Sequence, residues 1–199
     1  VRKKSETRRQ AILATAAQAF HDKGFDATSM SEVAARLGGS KATLYNYFDS
    51  KETLFVTVML EKARAHVMPV MDAFSSSPDI DAAVRRFALD YLRLVLKPEI
   101  LVMKRMCLAQ AERYGFGQRI YEEAIKPAWG AIAQRLQAAM DEGKLHRGDT
   151  WVAAMHLKGL CEAGLIDQCL NGCRGLPTDD EITETAKAGA EAFLRAYRP

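Results

Sequence analysis

Apolar side chains recur at helical intervals nearly everywhere along this chain, and no stretch of any length alternates with the two-residue period of a strand. The pattern predicts an all-α fold of about nine helices. The first runs from about Thr7 to Lys23, with Ile12, Ala16, Ala19 and Phe20 as its apolar stripe and Gly24 as its stop. Ser29-Met30-Ser31-Glu32 reads as a capping box that opens a second helix ending near Leu37. Gly38-Gly39-Ser40 is a tight turn, and Ser40 caps a third helix from Lys41 to about Phe48. Ser50 then caps a long fourth helix, Lys51 to about Phe74, with a possible bend at Pro69. Further helices read as roughly 80–96, 99–113, 117–142, 149–171 and 179–197, and Pro127 is expected to kink the one it interrupts. Three short helices, a long connector and a larger bundle follow from spacing alone, with no internal repeat.

The 199 residues are 48% hydrophobic and 27% charged, a globular profile. No run is long enough to span a membrane, and no apolar stretch near Val1 suits a secretory signal, so the expected location is the cytoplasm. Charge placement changes the picture. Residues 1–52 hold nine Lys/Arg and six Asp/Glu, whereas the remainder is balanced at nineteen of each. The excess starts with the run Arg2, Lys3, Lys4, Arg8 and Arg9, and a basic arm on a neutral body suits a polyanion, although a solvated terminus reads the same way.

Between Ser29 and Lys51, two helices of about two turns each flank a glycine turn. That is helix-turn-helix geometry, in which the second helix enters the major groove of DNA. Val33, Ala34, Leu37 and Leu44 face inward, and Phe48 and Phe55 read as core. The outward residues suit phosphates and base edges: the hydroxyls of Ser40 and Thr43, the ammonium of Lys41, and Tyr45, Asn46 and Tyr47. Lys51, at the start of the fourth helix, is a candidate phosphate clamp. Short helix pairs with a glycine turn also occur in ordinary bundles, where both tyrosines would simply cover core. The DNA-binding domain is expected over 1–52 and a ligand-binding and dimerisation domain over 53–199.

The stretch Ser40 to Leu54, SKATLYNYFDSKETL, resembles the DNA-binding signature of TetR-family transcriptional regulators. Ile12-Leu13, Ala16, Phe20, Gly24-Phe25 and Thr28-Ser29 resemble the same family's first helix and turn, so the likeness covers about residues 7–60. Ala109 to Tyr114 and Gly143-Lys144-Leu145 resemble the AefR type of C-terminal domain. The resemblance implies a homodimer that binds a palindromic operator in double-stranded DNA and is released by a small-molecule effector. By position, operator contact is implied for Ser29, Ser31, Ser40, Lys41, Thr43, Tyr45, Tyr47 and Lys51. Gly39 departs from the family, which usually has a branched apolar residue there.

Beyond residue 53 the small residues Ala163, Ala186, Gly189 and Ala190, with Phe193, suit a close helix crossing. Periodicity leaves open whether that crossing lies within one chain or between two, and the resemblance favours a dimer interface. Met68, Met71, Phe74, Phe87, Tyr91, Met103, Met106, Phe116 and Trp129, with Gln110, are candidate lining for an apolar or amphipathic effector, and the same stripe equally describes plain core. Cys169 and Cys173 stand four apart near Cys161, a spacing better read as buried thiols than as a metal site. No metal or cofactor is expected. No nucleophile elbow, P-loop, dinucleotide fingerprint or zincin motif supports an enzyme. The alternatives to a ligand-responsive repressor are a regulator switched by cysteine oxidation and a purely structural helical dimer.

Overall fold

The computed structural model describes residues 5–113 and 115–199. The basic residues Arg2, Lys3 and Lys4, and Tyr114 of the AefR-like stretch, lie outside the described residues. The elements are all helical: α1 (Glu6–Ala27), α2 (Met30–Arg36), α3 (Lys41–Tyr45), α4 (Lys51–Ser76), α5 (Ile80–Val95), α6 (Pro98–Ala109), α7 (Phe116–Ile120), a π-helical turn (Tyr121–Ile125), α8 (Lys126–Asp141), α9 (Thr150–Glu162), α10 (Leu165–Leu170) and α11 (Asp179–Tyr197).

Two expected helices are subdivided. The run 117–142 passes through the π turn just before Pro127. Proline lacks the N–H that the carbonyl four residues back would receive, and widening the preceding turn accommodates the ring. The run 149–171 breaks at Ala163-Gly164, where Gly164 adopts φ 91°. At Gly24 (φ 78°, ψ 174°) the helical dihedrals are interrupted as expected, and one more turn then reaches Ala27. Thr28, buried, donates its hydroxyl to the carbonyls of Gly24 (2.7 Å) and Ala19 (3.2 Å), closing that end.

The chain folds as two compact units. The first comprises residues up to Lys62 together with Arg105–Tyr121; the second comprises Ala63–Lys104 and Glu122–Pro199. This division by packing does not coincide with the functional boundary expected after residue 52, and the first unit is discontinuous in sequence. The physical reason is aromatic packing. Phe20, Phe25 and Phe55 form a buried cluster, and Phe116 completes it with ring centroids 5.4 Å from Phe25 and 5.3 Å from Phe55. Gln110 and Arg113 reach Asp26 beside this cluster, at 3.3 and 3.0 Å.

In the second unit α11 packs on α5 and α9, and α8 packs on α9. Phe74, Phe87, Tyr91, Trp129, Ile132, Leu136, Leu157, Phe193 and Leu194 are among the buried residues at its centre. The proposed dimer residues Ala186, Gly189, Ala190 and Phe193 are buried within this one chain, and only Ala163 is exposed. A Cβ on Gly189 would stand 2.6 Å from the Leu160 carbonyl oxygen. Gly189 thus serves the α9–α11 crossing of a single chain, and the burial of Ala186, Ala190 and Phe193 within that chain removes them from the surface expected to form a subunit interface.

Phe116→Ala is expected to destabilise the first unit by about 3–5 kcal/mol, the usual range for emptying a buried phenylalanine site. Denaturant unfolding checks this, and a loss below about 1 kcal/mol would show that the cluster tolerates the cavity. Gly189→Ala is expected to cost about 1–3 kcal/mol through overpacking against backbone. Its sedimentation should match that of the parent protein, since the side chain faces α9 of its own chain.

Candidate nucleic-acid interface and sensor unit

Helices as short as α2 and α3 form only with strong end conditions and tertiary support. Ser29 caps α2, its side chain accepting from the Glu32 N–H at 3.2 Å. The reciprocal half of the expected capping box is absent: the Glu32 carboxylate turns instead to Lys23 (2.8 Å) and Arg36 (2.9 Å). Arg36 also reaches Asp22 on α1 at 2.7 Å, so ion pairs and the buried Val33 and Ala34 fix α2 against α1. The turn puts Gly38 at φ 68°, and the Gly39 N–H donates to the Ala34 carbonyl at 3.0 Å.

Ser40 caps α3 through the Thr43 N–H (3.1 Å), and its hydroxyl lies 2.9 Å from that of Thr43. Leu44 is fully buried beneath α3. Ser40, Lys41, Tyr45 and Asn46 are exposed, Thr43 is half-buried, and the Lys41 ammonium stands over the Tyr45 ring at 5.8 Å. Helix α3 ends at Tyr45, three residues before the expected Phe48, and Phe48 is buried. Ser29 and Ser31 are exposed on α2's first turn. The structure thus brings these candidates together on the α2–α3 pair.

Two candidates have prior structural work. Tyr47 is half-buried, and its hydroxyl accepts from the Ser5 N–H at 3.1 Å. The Lys51 ammonium donates to the Phe25 carbonyl at 2.9 Å and lies 4.2 Å from the Phe25 ring centroid. It satisfies a carbonyl at the end of α1, a role that spacing along the sequence does not reveal.

The proposed effector lining is divided. Met68 is 39% exposed. Met106, Gln110 and Phe116 belong to the first unit, where Gln110 and Phe116 have the partners described above. Met71, Phe74, Phe87, Tyr91 and Trp129 are buried in the second unit, and Met103 is half-buried there. Phe87 stacks on Tyr91 at 5.3 Å and meets Trp129 edge-on at 5.8 Å, so these rings fill their own space. Beside them lies an open cleft of about 360 Å³ lined by Val70, Phe74, Ala83 and Phe87, with Arg86 and Asp90 paired at its edge. Of the expected lining, only Phe74 and Phe87 border it.

A polar cluster next to the rings escaped the sequence reading. The Tyr91 hydroxyl donates to Glu162 at 2.6 Å, Lys158 bonds the same carboxylate, and Lys104 approaches at 3.6 Å. Burial and the adjacent Glu162 charge raise the Tyr91 phenol well above its ordinary range. Burial opposes the charged form of Glu162, but the bonds from Lys158 and Tyr91 and the charge of Lys104 outweigh it and hold the carboxyl below its usual value. Burial lowers Lys104. The cluster ties α5, α6 and α9 at residues far apart in sequence.

Burial pushes the Cys107 thiol up to about 11 and the Cys161 thiol up to about 12, which keeps both protonated at neutral pH. Cys169 is buried and Cys173 exposed; α10 ends at Leu170, so the two do not share a helix face as their spacing suggested. Among the described residues no group of three His, Cys, Asp or Glu side chains is placed to hold a metal, and no helix is long and apolar enough to cross a membrane.

A capped two-helix unit with an exposed polar second helix, joined to a larger helical domain, is the architecture of helix-turn-helix transcriptional regulators. Comparison with known proteins gives the family. Residues 12–58 match the N-terminal domain of bacterial regulatory proteins of the tetR family, and residues 82–199 match the C-terminal domain of AefR-like transcriptional repressors. The chain belongs to the TetR family. A TetR-family regulator from Mesorhizobium loti superposes with a TM-score of 0.88 at 28% identity, covering 98% of this chain and 100% of that one. The flavonoid-responsive regulator FrrA gives 0.80 at 28% identity, covering 98% and 99%. The transcriptional activator FasR of Mycolicibacterium smegmatis is 35% identical over 86 residues, 41% of this chain and 39% of FasR. The repressor BdcR of Escherichia coli is 44% identical over 53 residues, 27% of each chain. This chain therefore spans well under half of either curated relative.

The α1–α2 ion pairs carry a pH signature. Bonds from Arg36, then Gln18, hold Asp22 below the ordinary carboxylate value, and the bond from Lys23 does most to lower Glu32. A depressed folded value means the contribution is complete above the ordinary carboxylate range and vanishes as pH falls through the folded value. The melting temperature is expected to hold steady down to about pH 5 and then fall, less steeply in Arg36→Ala. Identical acid profiles for parent and variant would assign the acid sensitivity to other groups.

Proposed function

We propose that the protein is a ligand-responsive transcriptional repressor of the cytoplasm that binds a palindromic operator as a homodimer and releases it when a small apolar or amphipathic effector occupies the second unit. The observation that carries the DNA half is the exposed α3 face: Lys41, Tyr45 and Asn46 project from a helix whose start is locked by Ser40 and whose underside is locked by Leu44. Base contact falls to Lys41, Thr43, Tyr45 and Asn46, and phosphate contact to Ser29, Ser31, Ser40, Tyr47 and Lys51. Lys51 keeps a donor for a phosphate because an ammonium has three.

Self-association moves to the outward faces of the packed pair α9 and α11. Val152 and Gly159 are exposed on α9, Ala163 at its end, and Ala188 on α11. A palindrome needs two recognition helices about 34–36 Å apart, and a two-fold axis supplies them. The effector reading draws on the apolar cleft beside Phe74 and Phe87 and on FrrA, a relative described as flavonoid-responsive. A cysteine switch is disfavoured at Cys107 and Cys161, whose thiols are held protonated.

The test starts by selecting bound sequences from random DNA. A two-fold-symmetric consensus is expected, with Val152→Asp yielding monomers that lose the preference for two half-sites. Compounds that raise the melting temperature are then titrated with and without the selected duplex. An effector should weaken operator binding about 5–150-fold, and the operator should weaken effector binding by the same factor. An asymmetric consensus, or ligand binding indifferent to operator, would sink the corresponding half.

A further inference from the structure

The cations of the first three helices divide into two groups. Arg9 reaches Glu6 (3.4 Å) and Glu61 (3.3 Å) and lies 5.9 Å from the Phe48 ring centroid, while Lys23 and Arg36 are paired with Glu32 and Asp22. Arg8 and Lys41 have no carboxylate partner among the described residues. The half-buried Arg8 makes no side-chain hydrogen bond there either, yet it is not loose on the surface. Its Nη2 lies 2.8 Å from the point where a Cβ on Gly39 would sit, so the guanidinium occupies the space of the missing side chain at the α2–α3 turn. Gly39 needs no positive φ, unlike Gly38, so its lack of a Cβ has no backbone explanation.

We propose that Arg8 is a DNA-phosphate contact of this protein, seated over the α2–α3 turn because position 39 is glycine. The proposal rests on the DNA-binding reading above. A guanidinium at Gly39, the residue before the exposed cap Ser40 and two before Lys41, adds a second uncompensated positive charge to the start of the recognition helix. A backbone phosphodiester accepts two parallel bonds from a guanidinium fork, and no other group on α1–α3 offers one without breaking an ion pair. The basic run near the N-terminus thus resolves into different roles: Arg9 holds α1 to α4, and Arg8 faces the nucleic acid.

The experiment uses the full chain and a random-sequence duplex of about 30 base pairs, since a phosphate contact acts on any sequence, with anisotropy read at several salt concentrations. Arg8→Ala should lower the slope of log affinity against log salt by about one unit and leave the melting temperature unchanged. Gly39→Val should produce the same loss by displacing the guanidinium, and the double variant should be no worse than either single one. Gly39→Ala, whose Cβ alone meets Nη2, gives a milder version should valine disturb the turn. Arg9→Ala should lower the melting temperature and leave the slope in place. A slope unchanged by Arg8→Ala, or losses from Arg8 and Gly39 that simply add, would overturn the proposal while leaving DNA binding intact. A parent protein that does not bind the duplex would overturn both.

Discussion

Helices of seven and five residues cannot hold themselves together in water, and the DNA-reading end of this protein consists of two of them. Everything about the first unit answers that constraint. Side-chain caps at Ser29 and Ser40 satisfy N–H groups that so short a helix leaves open, and buried Val33, Ala34 and Leu44 supply its contact surface. Beneath them the Phe20–Phe25–Phe55–Phe116 cluster sets the frame, and the Lys51 ammonium and Thr28 hydroxyl close the carbonyl end of α1 that carries Phe25. The exposed residues of α3 are held in place from the cap Ser40 and the buried Leu44.

Charge follows the same division of labour. Carboxylates at Asp22, Glu32 and Glu61 engage the cations that hold helix to helix, while Arg8 and Lys41 near the α2–α3 turn have no carboxylate partner among the described residues. The second unit adds a part-buried polar cluster around Glu162, against a core of stacked rings. A carboxylate shared by a phenol and two ammoniums is specific in geometry and expensive to leave incomplete, which favours one arrangement of α5, α6 and α9 over nearby alternatives.

The helix-turn-helix was legible in the sequence because its signals are local: serine caps, a glycine turn, and apolar residues at helical spacing. Where a residue's partner lies far along the chain, periodicity identified an apolar face but not what covers it. Phe116 reads equally well as pocket lining or core, and the residue that decides, Phe55, is 61 positions away. The small Gly189 marks a close crossing, but only the fold shows that the crossing helix is α9 of the same chain. Lys51 looked available because nothing in its own neighbourhood shows the carbonyl of Phe25. The Tyr91–Glu162 bond, between residues 71 apart, leaves no sequence trace at all.

The return of Arg105–Tyr121 to complete the first unit bears on how regulators of this kind can be recombined. A hybrid made by joining one protein's first sixty residues to another's remainder would pair a phenylalanine cluster with a foreign plug. Its failure would say nothing about operator or effector. A graft that carries both stretches together, with Asp26 kept alongside Gln110 and Arg113, transfers a complete packing unit. The packing unit that bears α2 and α3 is discontinuous in the sequence.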